Sequence, residues 1–311
     1  MGINFCRAKR LLVLQSLFLF ALAGMAQKDY NTEFQHLLEK GDTTAMHHLL
    51  AEWERTGEAS GDLYAAWANY YWAKAQESAL QMTTQKPNNG EALELQDSTG
   101  QTKGYITGTT IYHDSYLQKL FNKLDEGIGK YPNRLDLAFG KVHILLQTGC
   151  GEEAVKEIGK VLERTRKNKK QWSWAQDQPT PKEGEEFLRD CCQDYFSQIV
   201  DMGNDSLSMQ FAEMLLAYYP THIPFRTNKA SLIAQKGNYE EALSQFLAIH
   251  KDAPDDLIVS YDIAYLYEQL GRKAEAVRYY ILLKDSNDAE FQEIGRKAVQ
   301  ELTAKEKQGE N

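Results

Sequence analysis

Apolar residues recur along this chain at helical spacing, and the helical blocks themselves recur. The recurrence is clearest in the last third. Gly203, Gly237 and Gly271 stand 34 residues apart, as do Ser208, Ala242 and Ala276, then Ala212, Phe246 and Tyr280, then Leu215, Ile249 and Leu283, and Pro220 and Pro254 keep the same interval. Five positions that agree on one period predict a repeated structural unit. Each unit reads as two helices. In 257–290 the first covers 257–270, with Ile263, Ala264 and Tyr267 on one face. Gly271 ends it, because glycine takes the left-handed backbone that closes a helix. The second covers 274–284 and turns Ala276, Tyr280 and Leu283 inward. Small residues at 264 and 276 allow close approach, and the tyrosines fill the space where the helices diverge.

The register extends upstream. Unit 189–222 keeps Gly203, Ser208, Leu215 and Pro220, with Phe196 where a small residue is usual. Unit 135–168 keeps Leu145, Gly149, Ala154 and Ile158, and a polar insertion at 169–188 separates the two. A larger insertion, 79–112, interrupts unit 61–134 between helices expected at 61–78 and 114–130. There Leu93 and Leu95 alternate with Glu94 and Gln96, Ser98-Thr99-Gly100 forms a turn, and Tyr105 and Ile106 return. This reads either as a small β-hairpin or as a loop without regular structure. Unit 27–60, with Phe34, Leu37, Gly41, Leu50 and Trp53, has Met46 in place of the small residue. Residues 291–308 predict a capping helix, Phe291, Ile294, Ala298 and Leu302 facing the array, with a short tail to 311. The expected fold is all-α.

Unit 223–256, with Ala230, Gly237-Asn238-Tyr239-Glu240-Glu241-Ala242, Phe246, Ile249 and Pro254, resembles a tetratricopeptide repeat, and 257–290 resembles it through Ala264, Tyr267, Gly271, Ala276, Tyr280 and Leu283. Both units depart from the family pattern at its early tryptophan, with Arg226 and Ser260, and Lys229 replaces a leucine. The resemblance implies an α-solenoid of stacked antiparallel helix pairs whose first helices line a concave groove, and a protein or peptide segment as the groove's occupant. At the lining positions stand Asn31 and Gln35, Asn69 and Trp72, Phe139 and His143, Gln193 and Ser197, Thr227 and Ser231, then Tyr261, Tyr265 and Glu268. That set is amide, hydroxyl and aromatic. It lacks the carboxylate clamp of chaperone-binding members, and so implies an extended, mostly uncharged ligand. Trp172 and Trp174 in the second insertion read either as packing on the adjoining helix or as a contact lip. With the groove tyrosines, they also open an alternative reading as a glycan-binding surface.

Candidate chemistry is sparse. His48 and Glu52 have the four-residue spacing of a helical metal pair, but no third ligand accompanies them. His143 has no orienting partner and no nucleophile in the pattern. There is no nucleophile elbow, phosphate-binding glycine loop or zinc-protease motif. We therefore expect no catalytic residue, metal or cofactor. At the N-terminus, Arg7, Lys9 and Arg10 precede an apolar run that ends at Gly24-Met25-Ala26, the order of a secretory signal cleaved after Ala26. The run is shorter than the roughly 20 residues of a bilayer span, and no cysteine follows it as in a lipoprotein. We expect a periplasmic or secreted protein with no stable membrane insertion. Loss of the leader takes the net charge from −9 to −12, which disfavours nucleic acid and anionic membranes as partners. The three remaining cysteines, Cys150, Cys191 and Cys192, form no disulfide framework. Free thiols and a Cys150 bridge to one of the adjacent pair both stay open.

Overall fold

The computed structural model describes residues 29–57, 59–87, 92–168 and 172–309. The expected leader lies outside the described residues, as do 88–91 of the first insertion, 169–171 of the second and 310–311 of the tail. Among the described residues the chain forms thirteen α-helices and one three-stranded antiparallel sheet. It divides into two units between Phe187 and Leu188.

The N-terminal unit contains α1 (Tyr30–Glu39), α2 (Thr43–Arg55), α3 (Gly61–Ala75), α4 (Asp114–Lys130), α5 (Leu135–Gln147) and α6 (Gly151–Asn168). Local signals start the first three: Asp29, Asp42 and Ser60 accept hydrogen bonds from the backbone N–H groups of Thr32, Ala45 and Leu63. Phe34, Met46, Leu50, Trp53, Leu63 and Trp67 bury themselves between α1, α2 and α3. At Gly127, α4 comes so close to α3 that an added Cβ would lie 2.7 Å from that of Tyr64. Between α5 and α6, Lys141 bridges the buried carboxylate of Glu157 at 3.2 Å and also pairs with Asp125.

The C-terminal unit takes in most of α7 (Gly184–Asp201), then α8 (Asp205–Tyr218), α9 (Ile223–Gln235), α10 (Tyr239–Asp252), α11 (Leu257–Gln269), α12 (Lys273–Lys284) and α13 (Ala289–Gly309). Gly203, Gly237 and Gly271 hold φ of +73°, +81° and +73° at the tight turns between helices. An added Cβ would meet nothing within 4 Å at any of the three, so backbone conformation and not space demands glycine there. Ala230 and Ala242 meet between α9 and α10, and Ala264 and Ala276 between α11 and α12, all four fully buried. Phe246 and Tyr280 fill the wider parts, each such ring contributing about 1.5–3 kcal/mol of burial. α13 closes the stack as the pattern requires: Leu302 is buried, and Phe291, Ile294 and Ala298 pack on the same core.

Two boundaries differ from expectation. The first is in α3, which stops at Ala75 and not at 78. Its chain runs straight on as strand β1 (Gln76–Thr83), and β2 (Ala92–Gln96) and β3 (Thr102–Tyr112) follow. The hairpin pairing Leu93 with Ile106 and Glu94 with Tyr105 is present, and β1 adds a third strand on the other side of β3. The Asp97 carboxylate closes the hairpin turn by accepting from the N–H groups of Thr99 and Gln101 and from the Thr99 hydroxyl, bonds that hold its pKa down at about 2. The second is in α7, which begins at Gly184, so five residues assigned to the second insertion are helical.

Close packing at the cap is directly testable. A Cβ at Gly295 would lie 2.4 Å from the backbone N of Lys284 and 2.5 Å from the Tyr280 carbonyl oxygen. Gly295→Ala should therefore push α13 off α12 and lower stability by about 1–3 kcal/mol in urea unfolding. An unchanged midpoint would show that α13 does not pack this tightly.

Candidate functional site

In the N-terminal unit, the second insertion is tied down by one buried guanidinium. Arg134 precedes α5, and its side chain is 1% exposed. It donates to both carboxylate oxygens of Asp136 at 2.9 and 2.8 Å, to Asp62 of α3 at 2.7 Å and to Asp177 of the insertion at 3.4 Å. Burial works against its charge, but the hydrogen bonds and charges of Asp136 and Asp62 outweigh that and hold it protonated. Burial pushes Asp136 up against the pull of the same arginine. Asp62 also accepts the N–H of Gln176 at 2.8 Å, and the backbones of Asn133, Leu135 and Ser173 exchange two hydrogen bonds of 2.9 Å. Gly61 makes room for the guanidinium, since a Cβ there would lie 2.4 Å from its Nη1. Gln176 and Asp177 take left-handed backbone, φ 57° and 54°, to bring this segment onto the arginine.

The predicted lining residues of this unit are placed unevenly. Phe139 is 0% exposed and Asn69 is buried, so neither side chain faces solvent. For Phe139 the reason lies in α5, which is apolar on nearly every face and buried on nearly every face; Asn69 is buried on α3. Trp72 stacks on Tyr112 of β3, with centroids 5.4 Å apart. His143 is half-buried; burial lowers its pKa, and its Nδ1 has no hydrogen-bond partner in the protein. Gln35 is half-buried and Asn31 partly so on α1. Trp172 is 8% exposed and donates its indole N–H to Thr165 at 3.3 Å, while Trp174 stands edge-on to Phe187. Both rings are thus packed against neighbouring helices. His48 is exposed, and Glu52 accepts from the Tyr30 hydroxyl. Among the described residues, no group of three or more His, Cys, Asp or Glu side chains is placed to hold a metal, and no helix is long and apolar enough to cross a membrane. Among the described residues Cys150, Cys191 and Cys192 form no disulfide with one another, and burial pushes the Cys192 thiol up.

The C-terminal unit brings more of the set together. Gln193 of α7 and Asn228 of α9 exchange amide hydrogen bonds at 3.2 and 2.8 Å. Ser197 is exposed one turn further along α7, and Thr227 and Ser231 are partly exposed on α9. The Thr227 hydroxyl oxygen is buried and has no hydrogen-bond partner in the protein. On α11, Tyr261 lies edge-on to Tyr280, Tyr265 is half-buried, and Glu268 accepts from the Tyr280 hydroxyl at 3.1 Å. The basic residues of α9 turn away: Lys229 pairs with Glu213 of α8 at 3.1 Å, and Arg226 pairs with Asp252 of α10. What remains on this face is amide, hydroxyl and phenol, with Asp190 and Asp194 exposed beside Gln193 and Ser197, Glu268, and the half-buried Asp262. Pattern reading passed over Asp262, an acid inside an otherwise apolar and tyrosine-rich helix. Burial first, and Asp256 second, push its carboxyl up to about 7.

No family model matches the sequence, and no curated protein matches it. Among solved structures, it is similar to YrrB, described as a tetratricopeptide repeat protein with an unusual peptide-binding site, at 14% identity over 59% of this chain and 85% of that one, TM-score 0.38. A tetratricopeptide repeat protein from Parabacteroides merdae matches at 13% identity over 89% and 86% of the two chains, TM-score 0.38. A third, TTC0263 from Thermus thermophilus, matches at 15% identity over 60% and 92%, TM-score 0.34.

Two measurements probe this arrangement. Arg134→Met leaves Asp62 and Asp136 without their cation and should cost about 3–5 kcal/mol, whereas Asp177→Ala, at an exposed carboxylate, should stay within about 1 kcal/mol. Equal losses would contradict the ranking. For Asp262, an unfolded aspartate ionises near 3.9 and the folded one at about 7. Its full stability is therefore present below about pH 4, declines as pH rises to about 7, and then levels off. Asp262→Asn should remove that decline and gain on the order of 4 kcal/mol relative to the parent between pH 4 and pH 8. Parallel pH profiles for the two proteins would show that Asp262 is not buried as described.

Proposed function

We propose that this chain is a non-catalytic scaffold that holds an extended, largely uncharged segment of another protein along the first helices of its repeats. The observation that carries this reading is where the exposed cations lie in the C-terminal unit. The second helices carry exposed ions, Glu240, Glu241, Lys251 and Asp252 on α10 and Lys273, Arg278 and Lys284 on α12. The first helices turn Arg226 and Lys229 aside and present Gln193, Ser197, Thr227, Ser231, Tyr261 and Tyr265, with acids as their exposed charges, Asp190, Asp194 and Asp201 on α7 and Glu268 on α11. Tyrosine with amides and hydroxyls offers large contact area and adaptable hydrogen bonding, the combination suited to a backbone-rich ligand. A buried hydroxyl without a partner, as at Thr227, gains from a ligand group that supplies one.

The leader pattern at 1–26 supports export, and we place the scaffold in a bacterial periplasm or outside the cell on that basis. The glycan alternative is not favoured, because the two insertion tryptophans it relied on are packed against Thr165 and Phe187. A photoreactive phenylalanine at position 265 should crosslink in the native envelope to a protein absent from the same experiment at position 278. Crosslinks from 278 alone, or from neither position, would sink the assignment.

A further inference from the structure

The sheet between α3 and α4 has a bare side and a bare edge. Residues opposite one another in antiparallel strands share a face, so the register sets Leu80 and Met82 of β1, Ile106 of β3, and Leu93 and Leu95 of β2 on one side. Leu80 is 80% exposed, Met82 72% and Leu93 71%. Ile106 on the same face is only partly exposed, and the difference is position: β3 has a strand on each side, while β1 and β2 are outermost. A further strand beside β1 would cover its leucine and methionine as β3 and its neighbours cover Ile106.

The two edges are not equivalent. β2 is five residues long, carries Glu94, and is bulged at Leu95–Gln96, all features that blunt an edge. β1 is eight residues long, without proline, lysine or bulge. Its one charge, Glu77, lies at the base, 2.9 Å from His113.

We propose that β1 is a homodimerisation edge, along which two copies of this chain join their sheets about a two-fold axis. Only registers that pair even positions with even positions keep both apolar faces on one side. An axis through Leu80 satisfies this: it sets Leu80 opposite its counterpart, Ser78 opposite Met82 and Glu77 opposite Thr83. No like charges meet, which matters for two chains that each carry a net charge of −9. A strand of this length spans about 27 Å, and the pairing buries less than the roughly 800 Å² per partner of a standard interface. The dimer is consequently weak and concentration-dependent.

Sedimentation velocity on the chain over a hundredfold concentration range should show a monomer–dimer equilibrium. Leu80→Lys, at a solvent-facing position, should weaken association about tenfold or more without moving the thermal midpoint. Leu80→Cys should form an intermolecular disulfide under mild oxidation above the background of the parent chain, because paired strands set opposed Cα atoms about 4.5–5.5 Å apart. Leu93→Cys on the outer edge of β2 should not. A monomer at every concentration, a crosslink from position 93 in place of 80, or flotation with phosphatidylcholine vesicles without dimer would each overturn the proposal.

Discussion

A pair of short helices cannot bury itself. Each hairpin covers one apolar stripe internally and leaves another bare, so a neighbour within its unit must cover it. This constraint explains why Ala242, Ala264 and Ala276 are small and fully buried while Phe246 and Tyr280 are large and just as buried. It also explains α13: the last hairpin needs a lid that is apolar on one side only. Gly295 lets that lid lie against the α12 backbone.

The N-terminal unit meets the same constraint with an added device. Its second insertion has too few apolar residues to hold itself in place, and an ion cluster does the holding. One cation faces three carboxylates, so the cluster remains net negative, and the Gln176 N–H from the insertion shares the load at Asp62. The aspartates come from three separate stretches of chain, which makes Arg134 a tie between α3, α5 and the insertion at once.

Much of the stack was legible because its signals are local and repeated. A left-handed glycine, a small residue and a proline at one interval identify the helix pairs wherever they recur. Partners far apart in the chain were not legible. Nothing near Arg134 announces Asp62 or Asp177. Nor does any glycine or proline separate α3 from β1; Gln76 to Met82 are residues that suit a helix, and the chain turns extended because β3, rich in Thr, Ile and Tyr, pairs with it. Register predicts a partly exposed side chain where one face of a first helix is free, as at Tyr265 on α11. It failed at Phe139, because register assigns a face without knowing that α5 has none to spare.

The neck of the sheet is narrow: the His113 N–H reaches the Ala75 carbonyl oxygen at 2.8 Å, and beside it Trp72 of α3 stacks on Tyr112. The whole excursion from 76 to 112 therefore leaves and re-enters the stack at one point. Geometrically it is a cassette, and its length is decoupled from the spacing of the helices beneath it. Closing a longer or shorter loop there changes the entropy of closure only slowly. The helical scaffold is in that respect a socket, and chains with the same stack could carry quite different inserts at this point.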